Sequence, residues 1–446
     1  MPHTVSQQVL RIRRVRRLRG ETDVPGDKSI THRALLLSAL ADGSSRIRGH
    51  LESGDCRATM DCLQALGVTI EHGCLPGEGA TRELVIRGTG LRGWQEPDDV
   101  LDCVRSGTTM RLITGLLAGQ PFYTVVSGAS QLRRRPMDRI VTPLRQMGAR
   151  IEGRQSGRFP PLGVSGSMLH GIEYVLPVAS AQVKSCLLLA GLYAEGQTTV
   201  TEPGPSRDHT ERMLRARGVA VKSQCLRHTL TGPVARLAPL DTTIPGDFSS
   251  AAYLLVGALL LPGSEVLLRN VGVNPTRTGF LEVLERMGAR VSLLEQRDQG
   301  GEPVADLWVQ SQGLRGCQVG GDIVPRMIDE FPIMALVATQ AQGTTQVRDA
   351  AELRVKETDR IAAIVKGLRA LGADIEALPD GFVVNGPTPL HGATVDCEGD
   401  HRVAMTLAIA GLLADGETTI VGADCIADSF PGFVDRLRAL AEGALP

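Results

Sequence analysis

Residues 246–270, GDFSSAAYLLVGALLLPGSEVLLRN, contain the pattern that decides the fold of this chain. A Gly-Asp pair and two serines open the segment, and an almost continuous apolar run follows. No face of that run is polar, so it predicts a helix buried on all sides. The run is shorter than the ~20 residues that cross a bilayer. It ends at Pro262-Gly263, and the aliphatic residues after the glycine predict a strand.

The same plan occurs six times along the chain. Each copy has a polar start of small residues, an apolar helical run, a glycine and a strand rich in β-branched residues. The starts are separated by 69 to 80 residues and lie near Ser29, Ser106, Ser180, Ser249, Asp329 and His401.

A second recurring element is an amphipathic helix that ends in glycine and leads into a strand. Examples are MDCLQALGVTIE (60–71) and LEVLERMGARVSL (281–293). A glycine directly after the last helical residue is typical of a left-handed C-cap. Each unit is therefore predicted to read β-α-β-α-β-β, and the six copies predict an α/β protein.

The six units could stack as a solenoid or form two domains of three. Their polar starts differ from one another, as a divergent active site would require, which favours two domains. Because the first helix of each unit is apolar all round, we expect inside-out domains, with buried parallel helices surrounded by sheets. The expected domains are residues 23–243, and residues 1–22 together with 244–446, with the active site in the cleft between them.

Composition narrows the function. The chain has 446 residues, 48 Lys+Arg against 49 Asp+Glu, and 3% aromatic residues. This balance gives no overall field for nucleic acid or membrane. The nine cysteines are scattered without a C-x-x-C pair, which indicates a reducing cytoplasm and no zinc site. The arginine-rich segment 11–19 is either a targeting or nucleic-acid arm or an opening strand, and its interleaved Ile12, Val15 and Leu18 favour the strand.

The helix starts are rich in cations and donors. If the buried helices run parallel, their N-termini converge and form an anion site. Lys28, Arg33, Arg111 and Arg402 lie at or within one turn of such starts. The pair Asp329-Glu330 is the exception, and it is either a cap for the helix dipole or a general base among cations.

Two further segments are dense in charge. RRRPM (133–137) places three arginines before a proline, and RVKETDR (354–360) places Lys356 and Arg360 four residues apart. The second spacing predicts that both side chains project from one face of a helix. Each segment alone could be a solvated surface. Together with the helix starts, they indicate a small substrate with several phosphates or carboxylates.

Nine motifs, in this order, closely resemble the EPSP synthase (3-phosphoshikimate 1-carboxyvinyltransferase) family. They are VPGDKS-ITHR, SGTTMRL-GLLAGQP, RRRPMDRI-PLRQMGA, ASAQVKSCLLLAGL, RDHTERM, MIDEFP, RVKETDRI, GDHRVAM and DSFPGF. The resemblance implies two inside-out domains of three units each. It also implies transfer of the enolpyruvyl group of phosphoenolpyruvate to the 5-hydroxyl of shikimate 3-phosphate, in the shikimate pathway that leads to aromatic amino acids. The family is a target of glyphosate.

The resemblance also assigns roles by position. Asp329 is similar to the base that takes the hydroxyl proton, Glu357 to the acid that protonates the methylene, and Lys28 to a lysine near both substrates. The residues that match the phosphoenolpyruvate contacts are Lys28, Gly107, Arg135, Gln182, Arg360 and Arg402. Those that match the shikimate 3-phosphate contacts are Lys28, Ser29, Arg33, Ser180, Ala181, Gln182, Ser206 or Arg207, Asp329 and Lys356. The first domain is the expected shikimate 3-phosphate side, and the second the side of phosphoenolpyruvate and the catalytic carboxylates.

Some positions depart from the family pattern. Arg105 replaces an asparagine before the second buried helix, Asp428 replaces a lysine found in one branch, and Ala181 follows the other branch. The role of His401 stays open. The family uses neither metal nor organic cofactor, because the cations supply the electrostatic stabilisation.

Three alternatives remain. The enolpyruvyl transferase that acts on UDP-N-acetylglucosamine shares the six-unit fold, but it has Asn after its first lysine, where this chain has Ser29, and a reactive loop cysteine. RNA 3'-phosphate cyclase has related units and would need nucleotide-binding features. A non-catalytic repeat scaffold would not need Lys28, Asp329 and Glu357. The expected partners are the two small-molecule substrates, with no nucleic acid or membrane, and the expected state is a monomer.

Overall fold

A computed structural model of the protein describes residues 9–74 and 82–442. The chain forms two compact units. The unit called N-terminal below consists of Gly26–Pro245 with Asp298–Glu302. The unit called C-terminal consists of Met1–Pro25, Gly246–Arg297 and Pro303–Pro446. Each unit has its own hydrophobic core.

The helices have the following bounds: α1 (Lys28–Ala39), α2 (Gly54–Ala65), α3 (Gly107–Leu117), α4 (Asp138–Gln146), the short α5 (Arg154–Gly157), α6 (Ala181–Gly191), α7 (His209–Ala216), α8 (Phe248–Leu260), α9 (Gly279–Arg286), α10 (Phe331–Gln340), α11 (Arg360–Ala370), α12 (His401–Leu413) and α13 (Phe433–Leu440). Turns of 3-10 helix lie at Leu132–Arg134, Gly321–Arg326, Ala351–Val355 and Ala423–Asp428.

The strands have the following bounds: β1 (Val9–Arg13), β2 (Arg17–Thr22), β3 (Ser44–Arg48), β4 (Thr69–Cys74), β5 (Arg82–Arg87), β6 (Leu101–Asp102), β7 (Tyr123–Ser127), β8 (Arg150–Gly153), β9 (Phe159–Ser165), β10 (Glu173–Val175), β11 (Gly196–Thr201), β12 (Val221–Gln224), β13 (Arg227–Gly232), β14 (Thr242–Thr243), β15 (Glu265–Gly272), β16 (Val291–Gln299), β17 (Glu302–Gln310), β18 (Gln318–Val319), β19 (Gly343–Val347), β20 (Ile375–Leu378), β21 (Gly381–Gly386), β22 (Thr394–Asp396), β23 (Glu417–Val421) and β24 (Ala441–Glu442).

The N-terminal unit has three buried helices, α1, α3 and α6, and three four-stranded sheets. The strand that follows each buried helix pairs in parallel on one side and antiparallel on the other. The sheet orders are β14-β3-β5-β4, β6-β7-β9-β8 and β10-β11-β13-β12. The predicted α/β architecture is confirmed.

The C-terminal unit repeats this arrangement around α8, α10 and α12. Its sheet orders are β16-β17-β15-β2-β24, β18-β19-β21-β20 and β1-β23-β22. Three of the six units take a strand from elsewhere in the chain. The first unit pairs with β14 and the fourth with β2 as the parallel strand. In the sixth unit, the N-terminal strand β1 pairs antiparallel with β23, and among the described residues only β24 follows α13 and pairs with β2.

The arginine-rich segment forms strands, as predicted, although there are two of them and not one. Ile12, Val15 and Leu18 are buried in the core of the C-terminal unit. Arg13 forms an ion pair of 2.9 Å with Glu417 of the neighbouring strand. The alternation of arginines with apolar residues therefore belongs to strands with one face in the core.

The local signals for the helices are confirmed. The amphipathic helices α2, α4, α7, α9 and α11 are each followed by a glycine with positive φ, between 83° and 99°. The buried helices begin within two residues of the six predicted starts. In the part of the chain that the structure describes, no helix is both long enough and apolar enough to cross a membrane.

Candidate active site

The starts of the three buried helices of the C-terminal unit lie together. Ser249, in the first turn of α8, donates a short hydrogen bond to the carboxylate of Glu330, which precedes α10. Arg402, in the first turn of α12, contacts Asp329 with 3.5 Å between Nε and Oδ1. The three helices therefore run in the same direction and bring their positive ends together, as the sequence predicts.

Arg360 connects three carboxylates at this point. Its Nε contacts Asp400 at 2.8 Å, its Nη1 contacts Asp329 at 3.2 Å, and its Nη2 contacts Glu357 at 2.6 Å. The side chain of Arg360 is only 1% exposed. Burial alone would lower the pKa of the Arg360 guanidinium, but the three carboxylates raise it above its ordinary value.

Asp329 and Glu357 both contact the buried Arg360 and are themselves partly exposed to solvent. Their side chains are 16% and 38% exposed, whereas Asp400 is fully buried. Arg402 has a similar environment to Arg360: burial opposes its charge, and Asp329 raises its pKa above the ordinary value. Two reachable carboxylates thus share one fixed cation, Arg360, and Asp329 also contacts a second, Arg402. This arrangement is suited to proton transfer beside a bound anion.

Lys356 does not share a helix face with Arg360, contrary to the prediction from their spacing. Helix α11 begins at Arg360, where Asp359 caps it by accepting from the Ala362 amide at 3.1 Å. Lys356 lies beyond this cap, after a 3-10 turn, and forms an ion pair of 2.8 Å with Glu352. The four-residue spacing predicts a common face only when both residues lie within one helix.

The two carboxyl groups of the pair Asp329-Glu330 have different surroundings at the start of α10. Glu330 is the N-cap residue of α10, but its side chain makes no capping hydrogen bond. Burial raises the pKa of Glu330, which is 1% exposed and bound to Ser249. Of the two carboxylates, Asp329 is therefore the one available to a substrate.

Asp400 was missed by the sequence reasoning. It caps α12 by accepting from the amides of Arg402 and Val403, and its other oxygen holds Arg360. A signal was present in the sequence. The pair Gly-Asp precedes three buried helices, and its aspartate is their N-cap in each case, at Asp27, Asp247 and Asp400. His401 follows this cap and is buried.

In the N-terminal unit, α3 and α6 also begin side by side. Gln182 accepts from Arg111 at 2.7 Å and donates to Thr108 at 3.0 Å. Burial lowers the pKa of Arg111 to about 10. A Cβ on Gly107 would lie 2.9 Å from Nη1 of Arg111 and 3.4 Å from Nη1 of Arg135. Gly107 therefore lies directly against two guanidinium groups, and a side chain at this position would contact both of them.

The residues around the start of α1 form a second cationic group in the same unit. Lys28 forms an ion pair of 2.5 Å with Asp55. Arg33 is buried and donates to Thr210, to the Ser29 carbonyl and to Ser185, at 2.7, 3.0 and 2.7 Å. Burial lowers the pKa of Arg33 to about 10.

The other predicted contacts of this unit differ in their orientation. Ser180 is the N-cap of α6 and accepts from the Val183 amide at 3.4 Å, directly before Ala181. Arg207 donates to the hydroxyl of Ser29 at 3.4 Å, whereas Ser206 donates to Glu202. Of the three departures from the family pattern, Arg105 is exposed beside the N-cap of α3, Asp428 is exposed at the end of a 3-10 turn, and Ala181 is the first residue of α6.

The ion pair between Lys28 and Asp55 predicts a pH dependence of stability. Burial acts against the charge of Asp55, but Lys28 lowers the pKa of its carboxyl below the ordinary value. A lowered native pKa stabilises the fold above the unfolded pKa of about 4, and the stabilisation disappears as the pH falls through the native value.

We expect Asp55→Asn to unfold at a lower denaturant concentration than the parent at pH 6, with the difference shrinking towards pH 3. Urea unfolding followed by circular dichroism across this range measures it. A difference that is constant or that grows as the pH falls would contradict the effect.

The chain is similar to known proteins over nearly its whole length. The family model described as EPSP synthase (3-phosphoshikimate 1-carboxyvinyltransferase) matches residues 12–437. A 3-phosphoshikimate 1-carboxyvinyltransferase of Citrifermentans bemidjiense is 51% identical over 97% of this chain and 99% of its own length. That of Geobacter sulfurreducens is 53% identical over 96% of this chain and 97% of its own length.

A solved structure agrees with the sequence relatives. The EPSP synthase of Acinetobacter baumannii has a TM-score of 0.89 and 42% identity to this chain, and the match covers 99% of both chains. The cation-rich helix starts and the paired carboxylates lie on a fold shared with that protein. The chain belongs to the EPSP synthase (3-phosphoshikimate 1-carboxyvinyltransferase) family.

Proposed function

We propose that the protein transfers the enolpyruvyl group of phosphoenolpyruvate to the 5-hydroxyl of shikimate 3-phosphate and releases phosphate. Family membership over the whole chain supports the reaction. One observation supports the assignment of catalytic residues: the buried guanidinium of Arg360 contacts both Asp329 and Glu357. This arrangement provides two reachable carboxylates beside a fixed cation.

The chemistry assigns a role to each carboxylate. Asp329 takes the proton of the 5-hydroxyl as its oxygen attacks C2 of phosphoenolpyruvate. Glu357 gives a proton to C3, which becomes a methyl group in the tetrahedral intermediate. Glu357, now a carboxylate, takes a proton back from that methyl group, the double bond forms again and phosphate departs. Lys28 stabilises the charge of the leaving group.

We assign the substrates' anionic groups to the cations described above. Phosphoenolpyruvate is bound by Lys28, Gly107, Arg135, Gln182, Arg360 and Arg402. Shikimate 3-phosphate is bound by Lys28, Ser29, Arg33, Ser180, Ala181, Gln182, Arg207, Asp329 and Lys356. These residues belong to two units, so the proposal requires both units to act on one pair of substrates. We place the reaction in the cytoplasm, in a monomer without metal or organic cofactor.

Phosphate release tests the function directly. Purified protein should release phosphate from phosphoenolpyruvate only when shikimate 3-phosphate is also present. UDP-N-acetylglucosamine in its place should give no release above background. Release with that nucleotide sugar, or from phosphoenolpyruvate alone, would overturn the proposal, as would no release with the proper pair.

Because Gly107 has no side chain, we expect it to leave space for an anion beside Arg111 and Arg135. In Gly107→Ala, the new methyl group meets Nη1 of Arg111 at 2.9 Å, and the flexible arginine has to move. We expect KM for phosphoenolpyruvate to rise roughly tenfold, the effect of one weakened charge-assisted hydrogen bond. Competitive inhibition by glyphosate should weaken at least as much. Steady-state titrations measure both constants, and unchanged values would contradict the assignment.

A further inference from the structure

A charged cluster is buried behind the anion site of the N-terminal unit. Lys184 of α6 lies between two carboxylates, with Nζ 2.6 Å from Glu202 and 2.8 Å from Glu211. All three side chains are at most 1% exposed. Burial of Lys184 alone would lower its pKa, but the two carboxylates raise it. His228 completes the cluster, with Nε2 3.1 Å from Glu202.

The cluster already contains its cation. The donor atoms of Glu202, Glu211 and His228 lie within 4.8 Å of one another, a spacing that could hold a metal ion. The ammonium of Lys184, however, contacts both carboxylates directly, and buried charges need such pairing. The cluster therefore joins helix α6 to the end of β11 and to α7, which carry these residues, and it fixes the carboxylate of Glu202.

The two carboxylate oxygens of Glu202 have different hydrogen-bond partners. Oε1 receives Lys184 and His228, and Oε2 accepts a short hydrogen bond from the hydroxyl of Ser206. A serine hydroxyl has one proton, so the proton that Ser206 gives to Glu202 is not available to a phosphate group. The neighbouring Arg207 reaches the other way and donates to Ser29 at 3.4 Å.

The backbone around Arg207 is held at both ends. Ser206 is bound to Glu202, and on the other side Asp208 accepts from Arg212 at 2.8 Å. The residues on both sides of Arg207 are therefore held by hydrogen bonds, and these contacts help to fix the direction of its guanidinium. One of them, from Ser206 to Glu202, connects this backbone to the buried cluster.

We propose that Glu202 and Ser206 are positioning residues for this anion site. The anchored carboxylate of Glu202 holds the hydroxyl of Ser206, and Ser206 holds the backbone that presents Arg207 to the phosphate group of the substrate. The identity of that substrate rests on the proposed function. Ser206 is then not a substrate ligand itself.

A set of double-mutant cycles in the full chain tests this inference. Ser206→Ala should raise KM for shikimate 3-phosphate roughly tenfold. The same substitution should have less than about a twofold effect when added to Arg207→Gln or to Glu202→Ala, because either Arg207 or the acceptor of the Ser206 hydroxyl is then already absent. Ser206→Thr keeps the hydroxyl and should retain the parental KM.

The kinetic constants of these variants distinguish a positioning role of Ser206 from direct substrate binding and from a general packing defect. For Ser206→Ala, kcat and KM for phosphoenolpyruvate should stay at parental values, which a general packing defect would change. A full effect of Ser206→Ala in the Arg207→Gln chain would show that Ser206 binds the substrate itself and would overturn the proposal. A full effect of Ser206→Ala in the Glu202→Ala chain would show that Glu202 does not hold Ser206 and would overturn the positioning role of Glu202.

The positioning role of Ser206 and Glu202 can be tested even if the proposed reaction is wrong. If the parent chain releases no phosphate with both substrates, the proposed function fails. Inorganic phosphate followed by ³¹P NMR titration then serves as the probe for the same variants. The same coupling between Ser206, Glu202 and Arg207 is expected in its dissociation constant, and additive effects would overturn the positioning role.

Discussion

Asp329→Ala is expected to lower kcat by roughly 10²–10⁴, the usual contribution of a general base, while both substrates still bind. Asp329 contacts Arg360 and Arg402, at 3.2 and 3.5 Å. Its removal leaves both cations in place and takes away a carboxylate that competes with substrate anions for them. Phosphoenolpyruvate should therefore bind at least as tightly as in the parent, whereas shikimate 3-phosphate loses one contact and should bind somewhat more weakly. Phosphate-release kinetics and equilibrium titration with each substrate measure the two effects separately.

The neighbouring carboxyl provides a matched control. Glutamine has the size of Glu330 and keeps a side-chain oxygen that can accept from Ser249, so it is a conservative replacement. Glu330→Gln should keep turnover within a few-fold of the parent. Parental turnover in Asp329→Ala, or an equal loss in both variants, would contradict the assignment of Asp329 as the base.

Arg360→Ala is expected to have the largest effect on stability. It would leave Asp329, Glu357 and Asp400 close together without their shared cation. Removing one partner of a buried ion pair typically costs about 3–5 kcal/mol, because the remaining charge is uncompensated. Turnover should be lost as well, since the same arginine orients both catalytic carboxylates. Urea unfolding gives the free energy of unfolding, and phosphate release gives the activity.

Lys366 is the control for this substitution. It lies on the same helix as Arg360 and forms an ion pair of 2.5 Å with Glu398, and its side chain is 69% exposed. Exposed pairs contribute very little to stability, so Lys366→Ala should change stability little. Arg360→Lys should fall between the two, because one ammonium cannot replace the planar guanidinium at three carboxylates. A loss below about 1 kcal/mol in Arg360→Ala would mean that the contacts do not stabilise the fold.

Much of the fold was predictable because its signals are local. A run that is apolar on every face predicts a buried helix wherever it occurs, and a glycine at the end of an amphipathic helix predicts a C-cap. The six helix starts and the five left-handed glycines follow from such patterns. The assignment of Asp329, Glu357 and Lys28 came from motif resemblance, and their roles remain predictions.

The sequence by itself determined the repeated unit, the burial of its first helix and the cationic character of the helix starts, since each depends on residues within a few turns. Only the tertiary structure decided that Arg360 contacts three carboxylates, that Lys356 stands outside the helix of Arg360 and that Ser206 faces Glu202. It also decided that β1 completes the last sheet. These features join residues tens to hundreds of positions apart, and no spacing along the chain states which distant partners will meet.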